Sequence, residues 1–116
     1  MGLAPEVGSS FLLFQSLGYQ QAAQLLFESK PIDGNRYYEL GLAKYVGEDF
    51  LDEANKYAHV LKEQSLSSII ETKAILKSFM QNDIAKSRTM ETAAMKKLFG
   101  SEDNIKAVEK FFARKK

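Results

Sequence analysis

Apolar residues recur at helical intervals along most of this chain, and the gaps fall at glycine, proline or a capping residue. Phe11, Leu12, Leu13, Phe14 and Leu17 mark a first helix that Gly18 stops. Tyr19 to Glu28 forms a second, with Ala22, Ala23, Leu25, Leu26 and Phe27 expected to face inward. Pro31 in the turn Ser29-Lys30-Pro31-Ile32 ends it, because proline cannot continue the pattern. Asp33 is expected to cap a short helix through about Leu40, which Gly41 terminates. Leu42-Ala43-Lys44-Tyr45-Val46 alternates up to Gly47 and reads as a short strand. A single strand leaves ladder groups unpaired, so it calls for a partner outside this stretch.

The remainder is patterned as helices. Phe50, Leu51, Ala54, Tyr57, Ala58 and Leu61 mark one from about Asp49 to Gln64. Leu66, Ile69, Ile70, Lys73, Ala74, Leu76 and Lys77 mark the next. Ala85 to Phe99 follows, with Met90, Ala94, Met95 and Leu98 as its apolar stripe. Ser101 is expected to cap the last helix, with Glu102 and Asp103 at the positive end of its dipole. Ile105, Val108, Phe111 and Phe112 form its expected buried face, and Arg114, Lys115 and Lys116 suit its C-terminus. The fold class is therefore mainly α, about six or seven helices with one short strand.

Composition narrows the chemistry more than the fold. At 116 residues the chain is one domain at most. Hydrophobic residues make up 45%, enough for a core, and charged residues 27%. A net charge of +1 gives no global field for nucleic acid. With no cysteine and only His59 as histidine, thiolate and multi-histidine metal sites are excluded. The longest run of large apolar residues, Phe11 to Phe14, is far short of a membrane span. Met1 is followed by no basic, apolar signal region, and Glu6 stands where a myristoylation start needs Ser or Thr. A cytoplasmic protein is expected, or one of the mitochondrial matrix or peroxisome if eukaryotic.

The opening run Gly2-Leu3-Ala4-Pro5-Glu6-Val7-Gly8-Ser9-Ser10 sets a carboxylate between Pro5 and Gly8 at the entry to an apolar helix. With Leu17-Gly18-Tyr19-Gln20-Gln21-Ala22-Ala23-Gln24-Leu25-Leu26, Ile32-Asp33 followed by Glu39-Leu40-Gly41-Leu42-Ala43, and Phe99-Gly100-Ser101-Glu102-Asp103 followed by Phe111 to Lys116, it resembles the C-terminal half of the crotonase (enoyl-CoA hydratase/isomerase) superfamily. Each motif is weak alone, whereas their order and spacing are specific. The resemblance spans residues 1–116: residues 1–48 would hold the end of the core and the trimerisation-type helices, residues 49–116 the C-terminal helices. It implies an N-terminal spiral β-core that this chain lacks.

The Pro5-Glu6 pair is similar to that of Δ3-Δ2-enoyl-CoA isomerases, in which the acid moves a proton between C2 and C4 of a 3-enoyl-CoA. The resemblance thus implies Glu6 as the catalytic carboxylate, with Leu3 and Pro5 beside the acyl group and Arg114 and Lys115 near the CoA phosphate. It implies an acyl-CoA substrate in fatty-acid metabolism. It implies no metal and no cofactor, CoA arriving as part of the substrate. The oxyanion hole and a hydratase's second glutamate would lie upstream of Met1, so the isolated chain is expected to be inactive. Its partners would be the missing N-terminal half or further copies, as a trimer, with no nucleic acid and no membrane. Several positions depart from the family pattern: Val7 and Ser29 replace common glycines, Phe14-Gln15 replaces a Pro-Arg pair, and Gly34-Asn35-Arg36-Tyr37-Tyr38 replaces a small-residue helix.

Plainer roles stand beside these. Glu6 suits the positive end of the following helix dipole in any fold. His59, between Ala58 and Val60, has no nucleophile to serve and reads as a structural or surface residue. The Phe11 to Phe14 cluster reads as core or subunit interface. Ser9 and Ser10 lie near no histidine, which rejects a serine hydrolase. The alternative function is a non-catalytic, self-associating helical module or pseudoenzyme of the same superfamily.

Overall fold

A computed structural model describes residues 1–113. Six helices follow one another: α1 (Ser9–Glu28), α2 (Gly34–Glu39), α3 (Phe50–Lys62), α4 (Leu66–Ser78), α5 (Gln81–Leu98) and α6 (Glu102–Ala113). The chain divides into two units. One joins Met1–Lys30 to the chain from Asn82 onward; the other is Pro31–Gln81.

In the first unit, α1 is two helical pieces broken at Gly18, whose φ of 74° and ψ of 169° are open only to glycine. The expected stop at Gly18 is therefore present, although the chain resumes helix at once. Ala22 is buried in the second piece, while Phe27 is 80% exposed, against expectation. Successive helical residues lie about 100° apart, so Phe27 follows Leu26 round to the outer side. Ser29 ends α1 in a left-handed conformation (φ 48°), its amide bonded to the Leu25 carbonyl and its hydroxyl to that of Leu26.

α5 presents Ile84, Ser87, Glu91, Ala94, Met95 and Leu98 inward, with Glu91 buried. The expected stripe holds for Ala94, Met95 and Leu98 but fails at Met90, which is exposed; Glu91 takes the inward position one residue later. In α6, Ser101 Oγ accepts from the Asn104 amide at 3.2 Å, the expected cap. The expected buried face is absent apart from half-buried Val108. Asn104 is buried instead, and Ile105, Phe111 and Phe112 are exposed. Polar bonds from Asn104, given below, turn the first turn of α6 inward and leave its apolar stripe uncovered. Arg114, Lys115 and Lys116 lie outside the described residues.

The second unit is held mainly by local bonds. Asp33 Oδ1 accepts from the Arg36 amide at 2.9 Å, capping α2 as expected. Ser65 caps α4 by accepting from the Ser68 amide. The expected strand at Leu42–Val46 is not formed, and no strand occurs among the described residues. Its amides are taken by the end of α2: Leu42 and Ala43 both donate to the Tyr37 carbonyl, at 2.9 and 3.1 Å. Gly41 makes the reversal with a φ of 72°. The start of the segment closes a helix, so those two amides are not available to a ladder. Lys44 Nζ lies 3.2 Å from the centre of the Tyr57 ring, and Tyr45 donates its hydroxyl to Asp49. No described residue of this unit is buried, and the stripe expected to pack α3 is exposed at Phe50, Leu51, Tyr57 and Leu61.

Candidate active site

The candidate site is built on the eight residues before α1. Two buried polar side chains hold this segment at its ends. At the start, Asn104 Nδ2 donates to the Met1 carbonyl at 2.8 Å while its Oδ1 accepts from the Gly100 amide at 3.0 Å. Gly2 crosses α6 so closely that a Cβ there would lie 3.1 Å from Asn104 Cα and from the Asp103 carbonyl oxygen. A side chain here would press on α6, and the φ of 67° at Gly2 also favours glycine.

At the other end the segment turns into α1. The Ser9 amide donates to the Glu6 carbonyl at 3.1 Å, closing the turn. Val7 and Gly8 within it have φ of 62° and 84°. For valine this region is disfavoured by about 1–2 kcal/mol. Gly8 is the N-cap of α1 and offers no side chain to its free amides. Glu91 supplies the missing acceptor from α5. Its Oε2 accepts from the Gly8 amide at 2.6 Å, and its Oε1 accepts from the Ser10 amide at 2.9 Å and the Ser10 hydroxyl at 2.5 Å. The Ser87 hydroxyl also donates to Oε1, at 3.1 Å, and lies 2.8 Å from that of Ser10.

A carboxylate buried to 6% exposure would ordinarily be raised in pKa. Burial does push Glu91 upward, but the hydroxyl and amide of Ser10, the amide of Gly8 and the hydroxyl of Ser87 together outweigh it. The net shift is below the usual glutamate value. Glu91 is thus held ionised at the positive end of α1, where the helix dipole also favours a negative charge.

Glu6 stands between these two anchorages. It is exposed, and its carboxylate takes no hydrogen bond or ion pair among the described residues. Glu6 and Val7 line a hollow of about 310 Å³ with Arg88, Glu91, Thr92, Met95 and Lys96 of α5. Arg88, Thr92 and Lys96 are spaced by four residues, so they share one face of α5. The arrangement sets an uncommitted carboxylate on a stiff turn, with two cations bordering the same hollow. Such a group can take a proton from a neutral substrate and return it.

Of the other expected site residues, Leu3 and Pro5 lie on the same anchored segment, Pro5 half-buried and Leu3 36% exposed. Arg114 and Lys115 fall outside the described residues. His59 is exposed with Nδ1 2.8 Å from the Asn55 carbonyl of its own helix, in keeping with a structural role. No group of three or more His, Cys, Asp or Glu side chains among the described residues could hold a metal ion. No helix among them is long and apolar enough to cross a membrane. Sequence reasoning missed Glu91. The available signal was its spacing, seven residues after Ile84 and seven before Leu98, which puts a charge in line with an apolar stripe.

This helical arrangement is the C-terminal part of a crotonase fold. The chain is similar over 90% of its length to a solved structure of a candidate enoyl-CoA hydratase/isomerase from Acinetobacter baumannii, with 30% identity, a TM-score of 0.79 and 44% of that chain covered. It is similar over 95% of its length to OdaA of Pseudomonas aeruginosa, with 27% identity, a TM-score of 0.83 and 46% of that chain covered. Among curated proteins, YhaR of Bacillus subtilis, a candidate enoyl-CoA hydratase/isomerase, is 24% identical over 117 residues, or 99% of this chain and 46% of YhaR. The chain thus spans less than half the length of these relatives. No family model matches it.

Proposed function

We propose that this chain is the C-terminal part of an acyl-CoA enzyme of the enoyl-CoA hydratase/isomerase type, and that Glu6 is its proton shuttle. The observation that carries this is the setting of Glu6: an uncommitted carboxylate on a turn anchored at both ends by buried polar side chains. The similarity to enoyl-CoA hydratase/isomerase proteins supports an enoyl-CoA thioester as the substrate class.

The reaction is a double-bond shift. Glu6 removes a proton from C2 of a 3-enoyl-CoA, and the electron pair spreads over C2 to C4 and the thioester oxygen. The double bond re-forms between C2 and C3 as the same proton is returned to C4. One carboxylate suffices, because it is regenerated when the proton leaves. The thioester oxygen gains charge on the way and needs hydrogen-bond donors. In this proposal they come from an N-terminal core outside this chain. Removing a single such donor costs about 10²–10³ in rate, so the isolated chain is inactive. Leu3 and Pro5 border the acyl group. Arg114 and Lys115 approach the CoA phosphate, where an arginine can bind two oxygens at once. No metal or redox cofactor takes part.

The test is a steady-state assay of 3-enoyl-CoA isomerisation on the longer protein that carries this sequence, beside this chain alone. Turnover by the longer protein and none by the chain is expected. A longer protein that binds acyl-CoA but does not move the double bond would contradict the proposal. One observation favours a second reading, a non-catalytic self-associating module. Within the second unit, Phe50, Leu51, Leu66 and Phe79 are all more than half exposed, apolar side chains that association would cover. Light scattering of this chain that shows a concentration-independent oligomer without acyl-CoA binding would support it.

A further inference from the structure

We infer that Glu91 is a positioning residue for Glu6, aiming the shuttle carboxylate from α5 by gripping the backbone just beyond it. The inference rests on the role of Glu6 proposed above. Glu91 lies 83 residues from Gly8 in sequence, yet it caps the helix that Gly8 begins. A cap needs one acceptor atom, and here both are used. Oε2 holds Gly8 and Oε1 holds Ser10, so the turn is fixed in rotation as well as in place. Ser87 and the Ser10 hydroxyl donate to Oε1 and hold the carboxylate in turn.

Only Val7 separates Glu6 from the gripped Gly8. Its left-handed backbone (φ 62°) is one that a β-branched residue does not hold by preference. Such a conformation persists where the surroundings over-determine it. The Gly8 amide bond supplies that determination and with it the direction in which Glu6 leaves the backbone. Glu91 shares the hollow with Glu6 but is suited to hold rather than to react. Buried and already accepting four hydrogen bonds, its carboxylate has little tendency to take a proton.

The test uses Glu91→Gln in the longer protein that carries this sequence. A glutamine places an NH₂ donor against one of the two amide donors, so one grip is lost and the turn can relax. The rate of the folded enzyme should fall by about 10- to 100-fold, with KM for the enoyl-CoA changed less than about twofold. A role confined to stability would lower Tm and leave kcat per folded molecule unchanged. Ser10→Ala, which removes one hydroxyl bond and keeps both amide bonds, should lower kcat in the same sense and less; it carries the test if Glu91→Gln does not fold. Folded variants with unchanged kcat would overturn the inference. Full activity in Glu6→Gln would instead overturn the shuttle itself, so the two failures are distinct.

Discussion

Val7 is the point of greatest local tension beside Glu6. Its side chain is 76% exposed, so it buries little in return for its left-handed backbone. Val7→Gly should therefore raise stability by about 0.5–1 kcal/mol, the strain relieved less the extra chain entropy of glycine. Urea denaturation of the two proteins measures it, and a loss of stability would show that Val7 packs more than its exposure indicates. Glu91 predicts a pH effect of definite sign. The folded chain holds its pKa below the ordinary value of 4.5, so it binds fewer protons folded than unfolded. The stabilisation is complete above that unfolded value and fades as pH falls through the folded one. The stability gap between wild type and Glu91→Gln should be constant near pH 7 and shrink below about pH 4.5. A gap that does not change down to about pH 3 would show that Glu91 is not preferentially ionised in the fold. Val7 and Ser29 were legible in a different way. Both stand where the resemblance has glycine, and both hold a positive φ. A positive φ is the conformation that glycine suits best.

Among the elements, stops and caps were read more accurately than faces. Gly18, Asp33, Gly41 and Ser101 each do what their residue type suggests, because a positive φ or a capping oxygen is a local property. Gly18→Ala tests the break in α1. Nothing lies within 4 Å of a Cβ placed there, so the whole penalty is backbone strain, about 1–3 kcal/mol, with no clash. Calorimetry that found no change would mean that α1 straightens at little cost. The short strand misled because alternation in Leu42–Val46 is compatible with any extended or turning backbone. What decided it was the Tyr37 carbonyl, which takes two of the amides. Glu91 was missed for a related reason. Its value lies in amides 81 and 83 residues away, which no local pattern records. The stripes of α3 and α6 were legible as amphipathic, but what covers them was not.

For the whole molecule, the mainly helical class and the likeness to the latter half of longer proteins agree. Ala22 is the one apolar residue buried among the described residues, and large side chains on α3, α4 and α6 are exposed. Each unit has its helices and caps but little enclosed core among the described residues. The central claim concerns Glu6, and one measurement addresses it most directly. Glu6→Gln is introduced into the longer protein that carries this sequence, and isomerisation of a 3-enoyl-CoA is followed beside acyl-CoA binding. The carboxamide keeps the shape but cannot accept the proton. A fall in kcat of at least about 10²-fold, with acyl-CoA Kd within about twofold, is the result expected of a general base. Undiminished turnover would contradict it and leave Glu6 as a charge placed at a helix entrance.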